Sequence, residues 1–229
     1  MSTSRFRGVI FDLDGTLLDT LEDIGNAANA VLAHHGFPSH PILAYRQFVG
    51  EGIQVLMKRS LPSTHRDEAT LQACLQTMKT EYVRNLNKTA KPYPGIPEVL
   101  TKLKAAGLKL AVLSNKPDEF TGRCVTDFFG NELFQVCFGL RPGVPRKPDP
   151  AGALEIAQSW QTAPGNILYV GDSGTDMQTA MAAAMFPLGV LWGYRSREEL
   201  LAHGAKAVIE KPDELLSFLG QGELSRTPR

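Results

Sequence analysis

Apolar residues form two alternating patterns along the chain: short unbroken runs, and longer stretches with helical spacing. The first run, Gly8 to Phe11, stops abruptly at Asp12. An unbroken run of this kind predicts a strand buried on both faces, as in a parallel sheet. Similar runs follow at residues 108–113, 134–140, 167–170, 188–192 and 205–209. Strands that alternate with helices predict an α/β fold, a doubly wound Rossmann-like parallel sheet with helices on both faces.

One region breaks this alternation, because between residues 21 and 86 apolar positions recur every three or four residues with no strand-like run. This spacing predicts about four amphipathic helices, hence an inserted all-helical cap domain. One helical face contains Leu21, Ile24, Ala28, Val31, Leu32 and His35. A second contains Leu71, Cys74, Leu75, Met78, Tyr82 and Leu86, with a predicted start at Ser63 and Thr64.

The resulting prediction is a catalytic core at residues 1–18 and 91–222, a cap at 19–90 and a flexible tail at 223–229. The return stretch at 91–95 contains two prolines, so it is expected to form a stiff hinge and neither a helix nor a strand.

Composition and charge limit the classes of protein to which this chain can belong. The 229 residues include 24 Lys plus Arg and 24 Asp plus Glu, so no net charge favours nucleic acid or an anionic membrane as a partner. No apolar run is long enough to span a bilayer. The three cysteines form no metal-binding spacing and no disulfide framework, which predicts a cytoplasmic protein. No pattern predicts an oligomeric state.

The first strand ends in the sequence Asp12-Leu13-Asp14-Gly15-Thr16. Ligands bind at this end of parallel strands, and two carboxylates only two residues apart would repel each other unless a cation lies between them. Oxygen donors without histidine suit Mg²⁺ better than Zn²⁺. The alternative is that the Asp-Gly pair only forms a turn.

Polar residues also follow three later runs. Ser114 and Asn115 follow one of them, Lys147 lies before a proline, and Asp172 and Asp176 follow another. Each has a simpler interpretation, as a helix start, a solvated lysine and a capped turn respectively. Arg146 is a rival to Lys147 as the cation of a site, and Lys116 is expected at the rim.

These motifs, in this order and spacing, resemble the haloacid dehalogenase superfamily, specifically its phosphatases with an inserted helical cap. The resemblance spans the chain from Asp12 to the last predicted strand. It implies a Mg²⁺-dependent phosphomonoesterase that cleaves a small-molecule phosphate ester through a covalent aspartyl-phosphate.

The resemblance also implies a role for each residue. Asp12 would be the nucleophile and Asp14 the general acid and base. Ser114 and the Asn115 backbone would bind the transferred phosphoryl oxygens, and Lys147 would neutralise the nucleophile and the phosphate.

For the metal, the resemblance implies ligation by Asp12, the Asp14 main-chain carbonyl and Asp172. Asp176 and Thr16 would support this shell from outside.

Substrate choice is expected to lie in the cap, where Gly50, Glu51 and Gly52 form the candidate substrate-binding loop. The alternative for this loop is a turn between helices with solvated charges. Together with residues 114–117 and 193–195, the loop resembles the phosphoglycolate phosphatase branch, which implies 2-phosphoglycolate as substrate.

Other functions stay open at this point. They are a phosphosugar mutase, a pyrophosphatase, a phosphonate-cleaving relative with Lys58 as Schiff base, and a regulatory binding protein on an inactive hydrolase scaffold. A dehalogenase proper is disfavoured, because displacing a halide needs no Mg²⁺, whereas Asp14 and Asp172 resemble residues that hold this ion.

Overall fold

The computed structural model describes residues 5–219, so the predicted tail at 223–229 lies outside the described residues. The strands are β1 (Gly8–Phe11), β2 (Leu18–Asp19), β3 (Lys91–Pro92), β4 (Lys109–Pro117), β5 (Val136–Leu140), β6 (Ile167–Gly171), β7 (Phe186–Val190) and β8 (Ala207–Ile209). The α-helices are α1 (Leu21–His34), α2 (Ile53–Ser60), α3 (Glu68–Asn85), α4 (Ile96–Ala105), α5 (Asp118–Phe129), α6 (Ala151–Ser159), α7 (Gly174–Ala182) and α8 (Arg197–Ala202). Short 3₁₀ segments lie at Ile42–Gln47, Ser63–His65, Pro164–Asn166 and Pro212–Leu219.

Within residues 5–219, six strands form one parallel sheet in the order β5-β4-β1-β6-β7-β8. The chain runs outward from β1 in one direction and then, from β6, in the other, which is the predicted doubly wound arrangement. Val9 and Phe11 pack on one face with α4 and α5, whereas Ile10 packs on the other with α6 and α7. Burial on both faces explains why the β1 sequence is an unbroken apolar run.

Helices α1, α2 and α3 pack around a separate apolar cluster. The predicted stripes supply its core, with Ile24 and Val31 from α1 and Met78 and Tyr82 from α3 all buried. The α/β fold with an inserted helical cap is therefore confirmed. Its domain boundaries, at residues 18, 19, 90 and 91, stay a prediction.

Two local predictions were wrong. The third cap helix begins at Glu68 and not at Ser63, because the Asp67 side chain accepts the Thr70 N–H and caps the helix there. The stretch at 91–95 was expected to contain no strand, but it includes β3, which pairs antiparallel with β2. Pro92 can take part because this two-residue ladder needs no N–H from it; the neighbouring Tyr93 N–H donates to the Leu17 carbonyl.

The antiparallel pair of β2 and β3 holds the two connections between the sheet and the cap side by side. Because β2 and β3 pair, the chain comes back from the cap to the core beside the place where it left, next to the carboxyl end of β1, and continues into α4. The cap therefore stands over the carboxyl end of β1. Among residues 5–219, none of the helices combines the length and apolar character needed to cross a bilayer.

Candidate active site

Asp12 and Asp14 lie where β1 ends. The Asp12 N–H still donates to the Val170 carbonyl of β6 at 2.9 Å, which fixes its backbone in the ladder, and its side chain is buried. Gly15 then adopts a φ of +89°, a conformation that favours glycine, and turns the chain. The Asp14 carboxylate is held at Oδ1 by the Thr20 hydroxyl at 2.7 Å.

Asp172 and Asp176 lie where β6 ends and α7 begins. Ser173 and Asp176 form a capping box at the first turn of α7, in which Asp176 Oδ2 accepts the Ser173 N–H at 3.1 Å. The same oxygen also accepts the Ser173 hydroxyl at 2.6 Å. Asp172 accepts the Tyr194 N–H at 2.8 Å and the Thr16 hydroxyl at 3.2 Å. The turn and cap expected as the simpler interpretation are thus present, and they hold both carboxylates at the sheet edge.

The carboxylates of Asp12, Asp172 and Asp176 converge, each offering one oxygen within 4.8 Å of the others, and all three are buried. Burial, and then the neighbouring Asp176 carboxylate, raise the pKa of Asp12 to about 7 and the pKa of Asp172 to about 8. Several buried carboxylate oxygens whose ionised form is disfavoured by burial and by one another fit a hard divalent cation. A Cβ added at Gly15 or Gly193 would overlap the Asp172 side chain, so neither position has room for one.

Lys147 lies inside this group and is not solvated. Its Nζ is 2.8 Å from Asp12 Oδ1 and 2.7 Å from Asp176 Oδ1, and it donates to the Leu113 carbonyl at 3.0 Å. Burial acts to lower the pKa of Lys147, but the two carboxylates outweigh it and raise the pKa well above the ordinary value. Its rival Arg146 is exposed and donates to the Glu51 carbonyl, outside the carboxylate group.

Ser114 and Asn115 lie in an irregularity of β4, where the register to β5 shifts between Leu113 and Pro117. They do not start a helix, since α5 begins at Asp118. Asn115 Oδ1 accepts the Lys147 N–H at 2.9 Å, while its Nδ2 donates to the carbonyls of Lys147 and Gly50, both at 3.1 Å. Asn115 therefore links Lys147, the partner of Asp12, to the cap.

Lys116 was expected at the rim, and this prediction was wrong. Its side chain is 3% exposed, with Nζ 2.7 Å from Asp14 Oδ1 and 5.2 Å from the centroid of the Tyr82 ring on α3. Burial acts to lower the pKa of Lys116, but the Asp14 carboxylate outweighs it and raises the pKa well above the ordinary value. This lysine is enclosed by the irregularity of β4 and by the cap helix α3, and both depend on tertiary contacts.

The cap loop is fastened to the core through three successive carbonyl groups. Arg195 donates to Val49 at 2.9 Å, Asn115 to Gly50 at 3.1 Å and Arg146 to Glu51 at 3.1 Å. Sequence reasoning did not assign these roles to Arg146 and Arg195. The loop thus lies directly over the end of β4.

A pocket separates this loop from the carboxylates, and Gly50 and Gly52 line it together with Asp12, Asp14, Ser114 and Lys116. The predicted loop residue Glu51 does not line it; the Glu51 carboxylate pairs with Arg59. Lys58 is exposed on α2 and also does not line this pocket. Apolar side chains of the cap, including Ile24, Leu56 and Tyr82, close the pocket from above.

A parallel sheet with a carboxylate edge under a helical cap is the arrangement of one known class of hydrolases. The family model described as haloacid dehalogenase-like hydrolase matches residues 9–190. The chain belongs to this family.

Curated relatives and solved structures agree with this assignment. A phosphoglycolate phosphatase of Pseudomonas putida is 33% identical over 214 residues, covering 92% of this chain and 78% of the relative. One of Xylella fastidiosa is 33% identical over 208 residues, covering 90% of each chain. The crystal structure of a predicted phosphoglycolate phosphatase from Haemophilus somnus has a TM-score of 0.86 at 27% identity, covering 93% of this chain and 98% of the other.

Proposed function

We propose that this phosphatase is a Mg²⁺-dependent phosphomonoesterase in which Asp12 accepts the phosphoryl group. The position of Asp12 supports this proposal. Its side chain is buried, pairs with Lys147 and lies next to Asp172, and it also lines the pocket under the cap. The names of the curated relatives support a phosphatase activity.

The first step forms an acyl phosphate. An oxygen of the Asp12 carboxylate attacks phosphorus, the bond from phosphorus to the ester oxygen breaks, and the leaving alkoxide takes a proton from Asp14. Water then attacks the phosphorus of the acyl phosphate and gives a proton to Asp14, which frees the Asp12 carboxylate and inorganic phosphate. Asp14 suits both proton transfers because it lies two residues from Asp12 and lines the same pocket.

Fixed charges around Asp12 would stabilise the transferring phosphoryl group. Lys147 is held against Asp12 by Asp176 and the Leu113 carbonyl, so its charge needs no reorganisation during the reaction. Ser114 lines the pocket and can donate its hydroxyl to a phosphoryl oxygen.

Asp12, Asp172 and the Asp14 main-chain carbonyl would hold Mg²⁺, which supplies positive charge against the phosphoryl oxygens. Asp176 is better suited to a supporting role. One of its oxygens already accepts from Lys147 and the other from Ser173. Thr16 supports the site in the same way through Asp172.

The substrate that we propose is 2-phosphoglycolate. The cap loop lies close to the core, since a Cβ at Gly52 would be 3.2 Å from the Asn115 carbonyl oxygen, and this close approach favours a small leaving group. Curated relatives that cover most of this chain carry that substrate in their names.

Phosphate release with Mg²⁺ tests the proposal, using 2-phosphoglycolate, a hexose phosphate and pyrophosphate as substrates. We expect 2-phosphoglycolate to have the highest kcat/KM, and Asp12→Asn to lower it by more than about 1,000-fold. Asp213→Asn, which changes an exposed carboxylate, serves as the matched control. Activity that survives Asp12→Asn would contradict the mechanism. An isomerised hexose phosphate without free phosphate would show a mutase instead.

A further inference from the structure

The pocket under the cap carries very little positive charge. Among the described residues that line it, Lys116 is the one cationic side chain, whereas much of the remaining lining is apolar. Lys147 lies behind Asp12, where Asp12, Asp176 and the Leu113 carbonyl occupy its Nζ. For a substrate with two anionic ends, the described residues therefore provide one cationic side chain at Asp12, Lys147, and one in the pocket, Lys116.

The second anion of such a substrate needs a partner, because an unpaired carboxylate against apolar side chains is costly. Of the charged side chains nearby, Arg195 is bound to the Val49 carbonyl and to Glu199. Arg146 is bound to the Glu51 carbonyl. Neither lines the pocket, so neither replaces Lys116 there.

Lys116 is placed to hold a carboxylate without leaving Asp14. An ammonium group has three donors, and one of them bonds to Asp14 Oδ1 at 2.7 Å. Asp14 also keeps the Thr20 hydroxyl at 2.7 Å as an independent partner. The aromatic face of Tyr82, 5.2 Å from Nζ, supports the charge from the cap side.

We propose that Lys116 is the residue that selects phosphorylated small acids, by pairing with the carboxylate that the substrate carries beside its phosphate ester. This inference rests on the proposed phosphatase function and assigns its substrate choice to one side chain of the core. The cap contributes the apolar walls and Tyr82, and the core supplies the charge.

A pair of substrates of nearly equal size tests the inference: 2-phosphoglycolate and 2-hydroxyethyl phosphate, whose neutral hydroxymethyl group replaces the carboxylate. The quantity measured is the ratio of their kcat/KM values. Any loss of catalysis through Asp14 affects both substrates and cancels in this ratio. We expect Lys116→Met to lower the ratio by roughly 10- to 100-fold, because a charge-assisted hydrogen bond is lost for one substrate only. Lys116→Arg should restore part of it.

The outcomes separate this inference from the proposed function. A wild-type protein that releases no phosphate from any ester would contradict the function itself. A wild-type protein that is active but whose ratio is unchanged in Lys116→Met would overturn the role of Lys116 alone. If Lys116→Met does not fold, the wild-type protein alone still tests the role of Lys116. Equal kcat/KM values of the wild-type protein for the two substrates would also overturn that role.

Discussion

Lys147 Nζ lies 2.8 Å from Asp12 Oδ1, and both side chains are buried at the carboxyl edge of the sheet. The lysine supplies a positive charge to Asp12, which lies in one buried group with the carboxylates of Asp172 and Asp176.

Replacing Lys147 should cost stability as well as activity. Lys147→Met leaves Asp12 and Asp176 buried without their cation, so we expect the free energy of unfolding to fall by about 3 kcal/mol or more in metal-free buffer. Chemical denaturation of the metal-free protein measures this change. Lys211→Met removes an exposed lysine and is expected to leave stability unchanged. Equal stability of the two variants would show that the buried ion pair contributes nothing.

Magnesium should stabilise the folded protein through Asp172. Its carboxylate lies with Asp12 and Asp176 in one buried group, and a bound cation would relieve their repulsion. We expect millimolar MgCl₂ to raise the melting temperature of the wild-type protein and to have little effect on Asp172→Asn, in which the side-chain oxygen can still accept the Tyr194 N–H. NaCl of equal ionic strength and the variant Asp213→Asn are the controls. A magnesium effect of the same size in Asp172→Asn would argue against this metal site.

Arg195 should control how firmly the cap loop is held over the pocket. It donates to the Val49 carbonyl at 2.9 Å and pairs with Glu199 at 3.1 Å. We expect Arg195→Ala to raise KM by roughly 10-fold and to speed amide hydrogen exchange in residues 49–52, since a bond from a charged donor is lost. Arg197→Ala removes an exposed ion pair with Glu210 and should change neither quantity. Unchanged exchange in Arg195→Ala would mean that other contacts hold the loop.

Asp67 should stabilise the cap in a way that depends on pH. The Thr70 N–H and hydroxyl lower the pKa of Asp67 below its ordinary value of 3.8, so its stabilising effect is present above pH 3.8 and is lost as the pH falls through the lower folded value. Asp67→Ala should therefore lower the melting temperature near pH 7, by an amount that shrinks towards about pH 3. Melting curves across this range measure the difference. A difference that does not depend on pH would exclude the charged cap as its source.

The sequence predicted the elements whose signal is local. Burial on both faces made β1 an unbroken run, and helical spacing marked the faces of α1 and α3. The residues at the ends of β1, β4 and β6 came together because parallel strands end at one edge.

Features that depend on tertiary contacts were not predicted. Lys116 looks like a surface lysine in the sequence, and only the irregularity of β4 and the approach of Tyr82 bury it beside Asp14. The roles of Arg146 and Arg195 depend on where the cap loop meets the core, which no local pattern encodes. The pairing of β3 with β2 likewise depends on two segments that lie far apart in the chain.

The stereochemistry of phosphoryl transfer tests the role of Asp12 most directly. A thiophosphate ester made chiral at phosphorus with one heavy oxygen isotope would be hydrolysed in water enriched in another, and the configuration of the released thiophosphate determined. Transfer to Asp12 followed by attack of water makes two in-line displacements, so we expect overall retention of configuration. Inversion would show that water attacks the ester directly and would contradict a phosphorylated Asp12.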